Sequence, residues 1–292
     1  MRRGFALGLL LALGTLSLWA VQQAAPPLEI QKVKDNLYMI TGGCGCGNTA
    51  VFITDAGVVV VDTKNPNTGK GILEKIKSVT PKPVTMIINT HTHADHTGSN
   101  EDFPVTVDIV AQENTKTNMQ KMDNFKGDKA KFLPKKTYKD RLTLGKGKDE
   151  IDLYYFGPAH TSGDTFVVFP ALRAMHAGDA FAGKNTPLID GNNGGSAVEY
   201  GKTLSKAAST IKNVDTVITG HSPLMTAADL KEYADFNSDF IAWVQGEIKA
   251  GKTVDAATAE FKIPEKYKGY SVSTFFGGIK NNIQIAYNEI KK

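Results

Sequence analysis

Past residue 28 the chain alternates short apolar runs with amphipathic stretches and polar punctuation, the pattern of strands interleaved with helices. Residues 36–41 and 48–54 predict two strands, and a turn at Asp55-Ala56-Gly57 leads into the valine run of residues 58–62. An unbroken valine run is the signature of a strand covered on both faces. A helix over 68–78 follows from the spacing of Ile72, Leu73 and Ile76, with Pro81 stopping it. Residues 84–89 and 107–111 predict two more strands, and 112–122 a helix. The lysine-rich segment 123–141 predicts an exposed excursion with some helix.

A second round follows, with strands expected at 151–156, 165–169 and 174–177, a helix at 197–211 and a strand at 214–219. Beyond it the pattern turns helical, at 227–249, 255–261 and 276–291. Tyr233, Phe236, Phe240 and Trp243 recur there at helical spacing and are expected to be core. Two rounds of strands bracketed by helices predict an α/β protein with two sheets packed together and helices outside. The expected division is one α/β domain over 28–225, with residues 226–292 as helices packed on it. No repeat and no low-complexity linker interrupts it.

The N-terminus has a different character. Arg2 and Arg3 precede an apolar run from Phe5 to Val21, and small and polar residues close it by Pro27. That order is a secretory signal peptide over residues 1–25, set aside from fold reasoning. It implies a periplasmic or secreted protein with no stable membrane insertion after cleavage.

Composition narrows the field. With 292 residues, 41% hydrophobic and 22% charged, the chain is ordinary for a globular protein. Its formal charge of +4, or +2 once Arg2 and Arg3 leave with the leader, is too small for a phosphate-tracking groove, so no nucleic-acid partner is expected. The only cysteines, Cys44 and Cys46, exclude a disulfide framework and a four-cysteine zinc site. A bond between them would close a very small and readily reduced ring.

The candidate chemistry lies in the histidines. Of six, five follow expected strands: His91, His93 and His96 after 84–89, His160 after 151–156 and His221 after 214–219. Asp179 follows 174–177 in the same way. His176 lies within that strand and is expected to be a satisfied core residue. Loops beyond strand ends are where α/β folds gather ligands. Zinc takes imidazole nitrogen and carboxylate oxygen. His91 and His93, two apart in an extended segment, share a side and with His160 make a three-histidine site. Asp95 and His96 face the other way, where His221 can join them. Asp179 has two oxygens and can bridge a metal pair.

The set His91-Thr92-His93-Ala94-Asp95-His96, then His160, Asp179 and His221, resembles the metallo-β-lactamase-fold superfamily from about Val33 to Ala228. The resemblance implies an αβ/βα four-layer sandwich, two Zn²⁺ per chain and a hydrolase acting on a small-molecule carbonyl substrate: a β-lactam, lactone, ester or thioester. It implies a metal-held hydroxide as nucleophile, with Asp95 both ligating and orienting it. Asp62, ending the valine strand, matches the family's early aspartate, which supports a ligating histidine. The Gly-rich hairpin carrying Cys44 and Cys46 would overhang the metals. Lys184 and Asn193, downstream of Asp179, are candidate substrate contacts.

Asp179 departs from the β-lactamases most often studied, which carry Cys or Ser at or near the bridging position, and is shared with lactonases and thioesterases. Secretion disfavours glutathione-thioester hydrolysis. The alternatives are a mononuclear iron persulfide dioxygenase, which uses a similar ligand set, and a metal-binding protein without turnover.

Overall fold

The computed structural model describes residues 26–43 and 45–291; residues 1–25, where the signal peptide is expected, together with Cys44 and Lys292 lie outside them. Among the described residues the strands form two sheets. The larger runs β1 (Glu29–Lys34), β2 (Leu37–Thr41), β3 (Thr49–Ile53), β4 (Val58–Val61), β5 (Val84–Asn89), β6 (Asp108–Gln112) and β7 (Lys136–Tyr138), in that spatial order. Its first four strands form an antiparallel meander, and pairing from β4 onward is parallel. The smaller sheet has the order β12-β11-β10-β9-β8, from β8 (Arg141–Leu144), β9 (Ile151–Tyr154), β10 (Phe166–Phe169), β11 (Ala174–His176) and β12 (Thr216–Ile218). Only β11 and β12 pair in parallel there.

The valine run shows why the sheets stack. Val59 and Val61 point inward and pack with Leu37, Met39 and Phe52 against Leu153, Val167 and Phe169 of the other sheet. Val58 and Val60 point outward, beneath Ile72 and Ile76 of α1 (Gly69–Lys77). The period of two thus sends alternate valines into different cores. Phe166 and Val168 of β10 repeat this arrangement outward, under Tyr200 and Leu204 of α4 (Ala197–Thr210) and Tyr233 of α5 (Ala227–Lys249). The result is the expected four-layer α/β sandwich.

Two short helices, α2 (Ala94–Thr97) and α3 (Glu113–Met119), follow β5 and β6. The helical tail is α5, α6 (Val254–Glu260) and α7 (Gly278–Ile290). Tyr233, Phe236 and Phe240 are buried and Trp243 packs beside them, as their spacing predicts. A capping box at Thr226 and Asp229 starts α5, each backbone N–H donating to the other's side chain. No helix among the described residues is long and apolar enough to cross a membrane.

Three strands were not expected. β1 carries Glu29, Gln31, Lys32 and Lys34 and lies at the sheet edge, where charge opposes further pairing. Segment 123–141 is not only an excursion: after 3₁₀ turns at Asp123–Phe125 and Gly127–Phe132 it supplies β7 and the start of β8. Short polar strands have little hydrophobic signal of their own. The last helix starts at Gly278 rather than 276, because Phe276 takes a left-handed conformation (φ 53°).

Candidate metal centre

The chain leaves β5 through Thr90 and turns into α2, with His93 at the helix N-cap in extended conformation. That break sets His91 and His93 against His160, while Asp95 and His96 turn toward His221. The ligand atoms of His91, His93 and His160 lie within 4.8 Å of one another, as do those of Asp95, His96 and His221. Asp179, in the 3₁₀ turn Gly178–Phe181 after β11, stands between the two groups. Its Oδ2 lies 3.2 Å from His221 Nε2 and 3.7 Å from His160 Nε2, and its Oδ1 3.3 Å from His96 Nε2. All seven residues expected to bind metal converge.

The far side of four rings is pinned, which settles their tautomers. His96 Nδ1 donates to Asp62 Oδ2 at 2.7 Å, and His160 Nδ1 to the Leu188 carbonyl at 2.7 Å. Thr90 Oγ donates to Asp62 Oδ2 at 2.6 Å and so accepts from His91 Nδ1 at 3.0 Å. His93 Nε2 donates to Asp190 Oδ2 at 2.7 Å. A neutral ring pinned in this way turns its lone pair inward, the state a metal ligand needs; His96, which its carboxylates hold protonated in the metal-free protein, gives up its Nε2 proton on binding. His91 Nε2 and Asp179 Oδ1 are buried without a hydrogen bond. Atoms so placed are costly to bury unless a cation completes them. The donor set fits metal ions, with His91, His93 and His160 as one group of ligands, Asp95, His96 and His221 as another, and Asp179 within reach of both.

Electrostatics follow the same division. Burial, with protonated His96 beside it, holds His91 well below its ordinary pKa; burial with His93 nearby lowers His160 to about 4. Burial also opposes charge on His96 and His221, but carboxylates win. Asp179, Asp95 and Asp62 raise His96 well above its ordinary value, and Asp179 with Asp95 raises His221 to about 9. Asp179 itself, despite burial, is held well below the carboxylate range by His221 and His96.

The supporting frame is tight. Asp62 is fully buried at φ 62°, a conformation rare for a residue with a side chain, and its Oδ1 accepts from Thr90 N at 2.8 Å. An added Cβ at Gly220 would meet Asp179 Oδ1 at 1.9 Å, and at Gly47 the His96 ring at 2.2 Å. The β2–β3 hairpin reaches the site through Gly45, and Gly47 N donates to the Asp95 carbonyl at 3.1 Å. Buried Lys64 braces it by donating to the Gly47 carbonyl at 2.6 Å, and Cys46 Sγ accepts from Asn65 Nδ2 at 3.1 Å. His176 is a core residue, donating to the Asn48 carbonyl and accepting from Gly178 N.

The two candidate substrate contacts lie elsewhere. The Lys184 ammonium pairs with Asp229 at 2.8 Å and Glu232 at 3.0 Å on α5. The Asn193 side chain donates to Asp190 at 2.6 Å, and so braces the carboxylate that holds His93. Sequence reasoning missed Asp190, whose only signal is its place ahead of the Gly191-Asn192-Asn193 turn that it caps. It also missed Asn185, Phe275 and Phe276, which with Ala182 and Leu188 line a cleft of about 370 Å³ over Asp95, Asp179 and His221.

Fold and site together define an α/β sandwich with a histidine and aspartate metal cluster at the strand ends, and the chain belongs to the metallo-beta-lactamase superfamily, whose pattern matches residues 42–221. It is similar to a metallo-beta-lactamase type 2 of Elizabethkingia meningoseptica, 27% identical over 240 residues that cover 80% of this chain and 94% of the relative. It is 31% identical over 169 residues to the alpha subunit of a 2,4-dinitroanisole O-demethylase from Nocardioides sp., spanning 56% of this chain and half of that one. Among solved structures, the sec-alkylsulfatase Pisa1 of Pseudomonas sp. superposes with TM-score 0.74 at 15% identity, covering 90% of this chain and 50% of that one. A metallo-beta-lactamase from Pontibacter korlensis gives 0.61 at 20% identity, covering 72% and 99%. These two structural likenesses concern the fold.

Proposed function

We propose that this chain is a secreted, dinuclear zinc-dependent hydrolase acting on a small-molecule carbonyl compound: a β-lactam, lactone, ester or thioester. The observation that carries this reading is the group of His91, His93 and His160, each ring pinned so that its free nitrogen faces inward, beside the group of Asp95, His96 and His221, with Asp179 within reach of both. Zinc bound there supplies Lewis acidity and brings the pKa of water to about 7. His91, His93 and His160 would hold the first ion and Asp95, His96 and His221 the second, with Asp179 within reach of both.

The remaining work falls to side chains. Asp95 is partly exposed to the cleft, its Oδ2 3.2 Å from His221 Nε2, where it accepts a hydrogen bond from the attacking water and orients it. Asp62 and Asp190 hold the His96 and His93 rings in place by hydrogen bonds to their far nitrogens. The relatives' names span a metallo-beta-lactamase, a 2,4-dinitroanisole O-demethylase subunit and a sec-alkylsulfatase, which supports assay across several bond types. The basic and apolar leader supports export.

The test is elemental analysis of protein recovered from the periplasm, followed by assay on β-lactam, lactone, ester and thioester panels. Two zinc ions per chain with turnover on one panel is the expected result. A single iron with oxygen uptake on a persulfide would replace this reading.

A further inference from the structure

The segment between α6 and α7 belongs to the helical tail, yet it forms one wall of the metal cleft. Ser271 pairs with Asn185 in an isolated bridge, with Thr186 N donating to the Ser271 carbonyl at 2.9 Å and Ser273 N to Thr186 Oγ at 2.9 Å. On α7, Asn282 Nδ2 donates to the Pro187 carbonyl at 2.6 Å. The wall is thus anchored on both sides to the loop that carries Leu188, whose carbonyl holds His160. Between the anchors Phe276, Gly277 and Gly278 all adopt positive φ, a tight reversal that thrusts the two phenylalanines outward. Phe276 stacks on the His93 ring at 5.1 Å and meets His160 edge-on at 5.4 Å. Phe275 is 72% exposed.

Phe275, largely exposed, and the open edge of Phe276, 38% exposed, present an aromatic surface beside the candidate ligands that calls for an apolar occupant. The opposite chemistry is missing. The cleft lining carries His93, Asp95, Asp179, Asn185 and His221 as polar groups, and no lysine or arginine among the described residues that form it. Lys184, the nearest in sequence, is held by two carboxylates on α5. Asn185 adds a neutral polar residue to the lining.

We propose that the cleft selects substrates with an uncharged hydrocarbon or aryl group next to the scissile bond, seated on Phe275 and Phe276, and discriminates against those bearing a carboxylate there. This deepens the metallohydrolase reading and rests on it. Because the wall is preformed, burial of the apolar group adds directly to affinity.

Hydroxamates test this without turnover, since they bind zinc and are not consumed. Calorimetric titration of the zinc-loaded full chain would compare acetohydroxamate, hexanohydroxamate, benzohydroxamate and a carboxylate-ended succinyl hydroxamate. At about fourfold per buried methylene, hexanohydroxamate should bind at least about 30-fold tighter than acetohydroxamate, and the carboxylate-ended chain no tighter than acetohydroxamate. In the Phe275→Ala/Phe276→Ala variant the hexano-to-aceto ratio should fall below about threefold. Should the double variant misfold, Phe275→Ala alone should at least halve the ratio with Tm unchanged. Acetohydroxamate binding with no gain for the longer neutral chain, or a gain that survives both alanine variants, would overturn the aromatic wall alone. No binding of any hydroxamate would instead overturn the metal reading beneath it.

Discussion

Asp190→Asn isolates the contribution of one carboxylate that never touches a ligand position. In the native site Oδ2 accepts from His93 Nε2 at 2.7 Å and from Asn193 Nδ2 at 2.6 Å, while Oδ1 accepts from Asn192 N at 3.0 Å and Asn193 N at 3.3 Å. All four partners are donors. An asparagine amide must therefore turn its NH₂ toward either His93 or the turn N–H groups, and no flip relieves the conflict. The Asp190 side chain is 8% exposed, so water does not screen the loss. If the oxygen stays on His93, the 191–193 turn loses its cap and the fold is weakened by about 1–3 kcal/mol. If the NH₂ faces His93, the ring loses its acceptor and its tautomer is released. Outer partners of ligating histidines contribute roughly 10–100-fold to metal affinity, or about 1.4–2.7 kcal/mol. Competition against a chromophoric chelator should show the first zinc weakened by that factor and the second changed by less than about threefold. Two unchanged affinities, with Tm also unchanged, would refute the argument that Asp190 orients His93.

Further outcomes follow from the same geometry. Asp179→Ala should keep zinc on His91, His93 and His160 but bind the second ion much more weakly, with turnover down by orders of magnitude; two tightly held ions and near-normal kcat would reject the bridging role. Gly220→Ala places a methyl group where Asp179 Oδ1 now sits, so metal analysis should show loss of the second ion before the first. In the metal-free protein His221 is raised to about 9, so the stability it confers is complete below its unfolded pKa near 6.5 and is lost as pH rises through about 9. Tm of the metal-free form should fall across that window, whereas the zinc-loaded form should not follow it. A Cys44→Ser/Cys46→Ser variant should keep most of kcat, and a collapse of kcat at constant metal content would place the hairpin thiols in the substrate site.

Most of the ligand set was legible because each member follows a strong hydrophobic signal. The runs at 58–62 and 84–89 mark strands buried on both faces, and position-bearing loops come directly after such strands. Asp62 was legible for the same reason. Asp190 was not, since it follows an irregular stretch and acts across 97 positions in sequence. Lys184 and Asn193 were chosen by nearness to Asp179 along the chain, but the chain turns after residue 183 and delivers Asn185 to the cleft instead. Phe276 read as the start of a helix and Phe275 carried no signal, because apolar spacing gives no sign of the left-handed turn that the following glycines permit. β1, β7 and β8 escaped because edge and short strands are stabilised by pairing rather than by their own apolar residues.

The central claim is that two ions on these seven side chains carry out the hydrolysis. Its most direct test is a titration: strip the protein with a chelator, add zinc in steps, and follow hydrolysis of the best panel substrate beside metal bound per chain. The stripped protein should show no turnover, with a rise that is complete only as the second equivalent binds. Full turnover in the stripped protein, or a plateau at one equivalent, would contradict it.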